Sequence, residues 1–359
     1  MRRRSKIIYQ EWIFVIAAWW IIFYLYFFVA YWGMQDFLEE GIIKEYLFSW
    51  HVHLELILQA TFFGMLFNLI GTLADKTWIH RMSFGKLILL KSILYAISIV
   101  IAGTAVYLFF YIFKLKPIDE LELMTEALTI PFFISLAIYL IFSILIINFL
   151  LQVNRKFGPG NLLKLSLGKY HTPKNEKKIF LFLDLKNSTG LTEQLGNNKY
   201  SELLQNCFHD LTDTVIKYRA DIYQYVGDEV VLTWDIKNGI RNLNCIKLFF
   251  AYKLKLQSRR DFYLNHFDTL PEFRGGMDMG PVTVAEVGEL KREIAYHGDV
   301  LNTASRIQGK CKEFQKKLLI SEHIINEIQQ FDGFEISIIE NVNLAGKQHP
   351  LDLYAVDLI

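Results

Sequence analysis

Two aspartates in this sequence stand where strands stop. Ile179-Phe180-Leu181-Phe182-Leu183 is an unbroken apolar run, too short for a helix and rich in β formers, and it ends on Asp184. Leu185-Lys186-Asn187-Ser188-Thr189-Gly190 then turns toward a helix, whose first N–H groups lack intrahelical partners and suit an anion. Farther on, Ile222 to Val226 and Val230 to Trp234 flank Gly227-Asp228-Glu229, the pattern of a tight hairpin with Asp228 at its tip. Two carboxylates on neighbouring strand ends, beside a nest of amides, can hold a pair of divalent cations and a nucleoside triphosphate. A strand ending in Asp and a Gly-Asp hairpin are each common without any site, so these two features need a second half.

The second half lies in His297 to Arg306, the start of a helix behind Gly298. Asn302 and Arg306 are four apart and share a helix face, an amide donor one turn from a guanidinium. Alone, such a pair is usually a solvated face. Placed at a reacting phosphate, fixed donors stabilise the charge that builds on the leaving group and the equatorial oxygens.

Asp184 with Ser188-Thr189, the Gly227-Asp228-Glu229 hairpin, Gly276 to Gly280 with Val282, and Leu301-Asn302-Thr303-Ala304-Ser305-Arg306 together resemble the catalytic domain of class III nucleotidyl cyclases. The resemblance runs from about Lys177 to Ile359, half the chain, and four ordered motifs make it specific. It implies a homodimer, head to tail, with the nucleotide between two protomers. Asp184, with Leu185 beside it, and Asp228 would bind two Mg²⁺ or Mn²⁺ per active site, while Asn302 and Arg306 would come from the other chain. Asn187, Ser188 and Thr189 would cradle phosphates. The implied reaction is ATP to 3′,5′-cyclic AMP and pyrophosphate, with cyclic GMP from GTP, or a silent nucleotide-binding module, as the alternatives.

Three departures qualify this expectation. Where adenine-reading members commonly carry Lys and Asp or Thr, this chain has Gln224 and Ala295; glutamine can donate or accept and alanine can do neither. The C-terminal phosphate-binding Lys usually precedes a Gly, whereas here Leu344-Ala345-Gly346-Lys347 places Lys347 two residues beyond the usual position. Pro281 stands where some members have Arg.

The elements that must position these residues divide the chain in two. At 359 residues and 52% hydrophobic content the sequence is too apolar for an ordinary soluble protein, and the excess lies before about Leu151. The net charge of +1 argues against a nucleic-acid binder. Apolar runs at about 12–32, 52–73, 87–113 and 130–151 are each long enough for a hydrocarbon core of roughly 30 Å. Basic residues in the N-terminus, the 75–86 loop and the exit segment, against acidic loops around 36–45 and 119–126, predict cytoplasmic termini and an inner plasma membrane location. Trp12, Trp32, Trp50 and Trp78 fall near the expected interfaces.

Within the second span, His51, His53, Glu55 and Gln59 could form a ligand or metal sensor, although two histidines two apart do not share a helix face and a solvated rim accounts for them. A transporter with a regulatory tail is poorly supported by so few buried charges, Lys91 and Glu55 among them.

The expected architecture is α+β: an N-terminal four-helix transmembrane bundle (1–151), a linker or transducer (152–178), and a ferredoxin-like βαββαβ cyclase domain (179–359) with its helices on one face. Within it, helices are expected over Ser188 to Tyr218, Ile240 to Phe267 and Asp299 to Lys312, with strands Phe273 to Met279 and Val282 to Val287 joined at Gly280-Pro281. Cys207, Cys245 and Cys311 show no metal-ligand spacing and read as reduced core thiols.

Overall fold

The computed structural model describes residues 2–34, 49–76, 84–113, 115, 130–157, 167–290, 292–328 and 330–359. The acidic loops, Trp78 and Gly158-Pro159-Gly160 lie outside them. The chain forms two compact units, one of residues 5–159 and one chiefly of residues 160–359.

The first unit contains helices α1 (Arg2–Met34), α2 (Trp50–Lys76), α3 (Phe84–Ile112) and α4 (Ile130–Phe157). Each carries a stretch long and apolar enough to cross a membrane: Ile8–Ala30, Trp50–Ala74, Gly85–Ile112 and Ile134–Asn154. Their outward faces are apolar, with Ile97, Val100, Ile138 and Phe142 exposed, an arrangement that water penalises and lipid does not. Polar groups turn inward instead. Asn68 donates to the carbonyl of Gly64, and Asn148 to that of Ile88. Trp19 packs edge-on against Phe63 with ring centroids 4.4 Å apart, and Phe67 stacks on Tyr95 at 3.6 Å. His53 stacks on Tyr24 while His51 lies against Trp50, so the two histidines part company; Gln59 donates to Glu55.

The second unit is built on one eight-stranded sheet, ordered β2-β3-β1-β4-β6-β8-β7 with β5 paired to β4. Its strands are β1 (Lys174–Leu185), β2 (Asp221–Val226), β3 (Glu229–Asp235), β4 (Phe273–Val287), β5 (Glu293–His297), β6 (Leu318–Ser321), β7 (Phe334–Val342) and β8 (Leu351–Leu358). Helix α5 (Ser188–Lys217) follows β1, and the short α6 (Ile236–Ile240), α7 (Asn244–Ser258) and α8 (Arg260–Phe267) precede β4. Helix α9 (Asp299–Glu313) precedes β6 and α10 (Glu322–Glu327) follows it. The first four strands with α5 and α7 are the expected βαββαβ plan, β1 antiparallel to both β3 and β4.

Alternation along β1 separates two cores. Ile179, Leu181, Leu183 and Leu185 bury against α5 and α7 residues such as Leu203, Cys207, Leu248 and Phe249. Phe180 and Phe182 face the other way, onto Val300 and Ala304 of α9. The two helices of the βαββαβ plan therefore share a face, as expected, and α9 covers the opposite one.

Three expected elements differ. Strand β1 begins at Lys174, within the segment expected as a linker, because pairing with β4 holds its polar start in the ladder. The stretch expected as two strands joined at Gly280-Pro281 is one continuous strand, β4. It pairs with β6 at Gly275 to Met277 and with β5 at Thr283 to Val287, so Pro281 falls in the gap between partners, where its missing N–H breaks no ladder on that flank. The single helix expected over Ile240 to Phe267 is broken by a 3₁₀ turn at Arg241–Leu243 and again at Arg259, whose φ of −108° is not helical. All three cysteines are free and buried, as expected, and burial pushes each thiol up to about 12.

Candidate active site

Asp184 sits at the last turn of β1 opposite Glu229 of β3, and Gly227-Asp228 form the two-residue turn between Val226 and Glu229. Gly227 adopts φ 61°, a backbone state that favours glycine, and this closes the hairpin tightly enough to set Asp228 beside Asp184. The electrostatics record the approach. Burial and then the Asp228 charge raise the Asp184 carboxyl above its ordinary value. Burial, followed by Asp184 and Asp228, pushes Glu229 to about 7. None of these three acids makes an ion pair among the described residues.

That uncompensated cluster is what a divalent cation relieves. Among the described residues no set of three His, Cys, Asp or Glu side chains forms a ready-made metal cage. The donor set therefore fits an oxygen-ligated ion that takes its remaining ligands from water and phosphate, as Mg²⁺ does.

Beyond Leu185, Asn187 takes a left-handed conformation (φ 62°) as the N-cap of α5, and its side chain folds over Gly190, where a Cβ would meet its Nδ2 at 2.8 Å. Ser188 and Thr189 open the helix, with their N–H groups in its first turn. Two residues not expected from the sequence complete this end. Gln308 of α9 donates to Asp184 Oδ2 at 3.1 Å. Tyr200 of α5 lies among Ser188, Thr192 and the two aspartates, its hydroxyl raised by burial and then by Asp228.

The second half of the site gathers at α9. Gly276 brings the helix in: a Cβ there would meet the backbone N of Gln308 at 2.1 Å, so only glycine lets α9 lie on β4. Arg306 turns to Gly346, whose added Cβ would sit 3.2 Å from its Nη2, and Lys347 pairs with Asp299 at the start of α9. The Lys347 ammonium holds the Asp299 carboxyl below its ordinary value. Asn302, one turn before Arg306, is exposed. Arg306 is two residues from Gln308, roughly 200° around the helix, so it faces away from the acid cluster that Gln308 touches.

Gln224 is exposed on β2 at a register shift, and Ala295 of β5 lies opposite Ala285. Their chain neighbours Tyr223 and Tyr296 touch, ring centroids 4.9 Å apart, so β2 and β5 approach each other at the level of both positions.

Residues 171–357, just over half the chain, match the family described as the adenylate and guanylate cyclase catalytic domain. The chain belongs to that family. Adenylate cyclase 2 of Rhizobium meliloti (strain 1021) is 31% identical over 183 residues, covering 51% of this chain and 50% of the relative. An adenylate cyclase of Anabaena cylindrica is 24% identical over 184 residues, covering 50% of this chain and 36% of the relative. The chain thus spans about half the length, or less, of the curated relatives it matches. A solved bacterial light-regulated adenylyl cyclase shares the fold, with a TM-score of 0.51 at 20% identity over 59% of this chain and 61% of that one.

Within the cyclase domain, neither Gln308 nor Tyr200 carries a local signal. Gln308 had one indirect mark, its place on the helix of Asn302 and Arg306, whereas Tyr200 sits mid-helix and becomes legible only once α5 is folded back over β1.

Proposed function

We propose that the second unit is a class III cyclase domain converting ATP to 3′,5′-cyclic AMP and pyrophosphate, at a site shared between two protomers. The observation that carries this reading is the uncompensated pairing of Asp184 with Asp228 at the foot of α5. Family membership and relatives named as adenylate cyclases support it. Asp184, Asp228 and the Leu185 carbonyl would hold the divalent cations, which when bound lower the pKa of a hydroxyl and offset phosphate charge.

The chain's own residues do the rest. The amides of Asn187, Ser188 and Thr189 bind the phosphates in the first turn of α5. Gln308 orients the Asp184 carboxylate, and Lys347, exchanging Asp299 for substrate, holds the far phosphates. Asn302 positions the ribose and Arg306 stabilises charge as the 3′-oxygen bonds to the α-phosphorus and pyrophosphate leaves. Because Arg306 faces away from Asp184 within one chain, it acts on a partner's nucleotide, so a homodimer carries two equivalent sites.

The four apolar helices anchor the enzyme in the membrane with both termini and the cyclase domain in the cytoplasm, and the segment before β1 transmits any signal from them. Full-length protein in detergent, given Mn²⁺ and either ATP or GTP, tests the reaction. Cyclic AMP from ATP is expected, and Asp184→Ala lowers the rate at least about a hundredfold, on the order of 3 kcal/mol of barrier. Product from GTP alone moves the base preference to guanine, and no product from either leaves a silent binding module.

A further inference from the structure

A cavity of about 280 Å³ lies apart from Asp228, Arg306 and Lys347, between α7, the start of β4 and the turn before β6. Its charge is one-sided: Lys186, Lys253, Arg274, Lys316 and Lys317 line it against the single acid Glu272. Two of these cations are already committed. Lys186 pairs with Glu272 at 3.0 Å, and Lys316 with Asp357 at 3.1 Å. Arg274 stands opposite Asp184 in the β1–β4 register and belongs to that neighbourhood. Lys253 and Lys317 remain, with no ion pair among the described residues; they act on the Glu272 carboxyl only through space, behind its pair with Lys186.

These two lie close enough to repel. Burial, and then the charge of Lys317, hold the Lys253 ammonium below its ordinary value. Beneath them the floor is apolar, with Phe249 and Phe273 both buried. Because Glu272 is shared with Lys186, the concavity stays net positive, and a further anion over its apolar floor relieves the repulsion.

The geometry points to a second anion site here, in which Lys253 and Lys317 grip the phosphate of a small phosphorylated ligand and the floor receives its carbon portion. Two compact ammonium groups suit phosphate as paired point charges. The wall of the cavity is continuous with the turn after β1, because the Lys186 N–H donates to the Glu272 carbonyl at 2.8 Å. The site stands independently of the proposed reaction.

The test uses full-length protein in neutral detergent without nucleotide or divalent cation, with inorganic phosphate as the probe and chloride at matched ionic strength as the control. About 10 mM phosphate should raise the melting temperature of the cyclase domain by roughly 3 °C over chloride, by mass action on the folded state. Lys253→Gln/Lys317→Gln should melt no lower than the parent in chloride, since a repulsion is gone, and should lose the phosphate response. Lys347→Gln should keep it. No phosphate-specific rise in the parent, the same rise in the double variant, or its loss in Lys347→Gln would overturn the site.

Discussion

At the scale of single residues, the site depends on what is absent as much as on what is present. Gly276 has no side chain, and the space it leaves is filled by the backbone of α9. Gly276→Ala forces that helix off β4 and moves Gln308 and Arg306 with it. A loss of about 1–3 kcal/mol in denaturant unfolding is expected, together with a fall in any cyclase activity larger than the stability loss explains. Asp184, Asp228, Asn302 and Arg306 stand out in the sequence as candidates because each residue type matches the proposed chemistry and each stands where a strand or helix must end or begin. Gln308 and Tyr200 do not, because long-range packing alone brings them to the carboxylates. Lys347 lies between these cases: the sequence marks a lysine near the usual place, and the structure shows it held by Asp299, a partner 48 residues earlier in the chain.

At the scale of elements, the apolar cores of strands are more legible in a sequence than helix breaks are. Apolar runs such as Ile179 to Leu183 are self-announcing, whereas the break at Arg259 is set by a partner elsewhere. Its Nη1 donates to both oxygens of Asp210 at 2.7 and 2.8 Å, and Asp210, only 3% exposed, also accepts from Tyr263. This buried network ties the α7–α8 junction to α5. Arg259→Ala strands a buried carboxylate and should cost about 3–5 kcal/mol in denaturant unfolding, with Arg259→Lys recovering part of it.

The anchoring of α10 is of the same kind but responds to pH. The carboxylate of Asp278, 1% exposed, accepts from Ser321 Oγ at 2.6 Å and pairs with His323 Nδ1 at 2.9 Å, and this bond raises the imidazole above its ordinary value despite partial burial. A raised histidine contributes stability that is whole below its unfolded value near 6.5 and lost as pH rises through its higher folded value. Thermal melting should therefore show a decline above about pH 6.5 that His323→Gln flattens; an unchanged slope in that variant would assign the decline to other groups. The start of β1 is hidden for a similar reason: the apolar run marks Ile179, whereas the strand begins at Lys174, because Lys174 to Lys178 are polar and are held in the ladder by β4.

At the scale of the whole molecule, the sequence shows its two-part plan through composition alone, four apolar helices followed by a mixed α+β sheet. What composition could not show is that the two halves of the proposed catalytic apparatus, one at the strand ends and one on α9, turn away from each other within one protomer. The acid cluster gathers at Asp184 and Asp228, while Arg306 and Lys347 gather against Gly346 and Asp299 on another face of α9. On the proposed reading, that division makes assembly of two chains the condition for chemistry. Mixing full-length Asp228→Ala chains with full-length Arg306→Ala chains tests it most directly. Each variant alone should be inactive, and the mixture should regain about a quarter of parental cyclic nucleotide production, since half of randomly assorted dimers are mixed and each then holds one intact site of two. No recovery, from variants that still dimerise, would contradict a site shared between protomers.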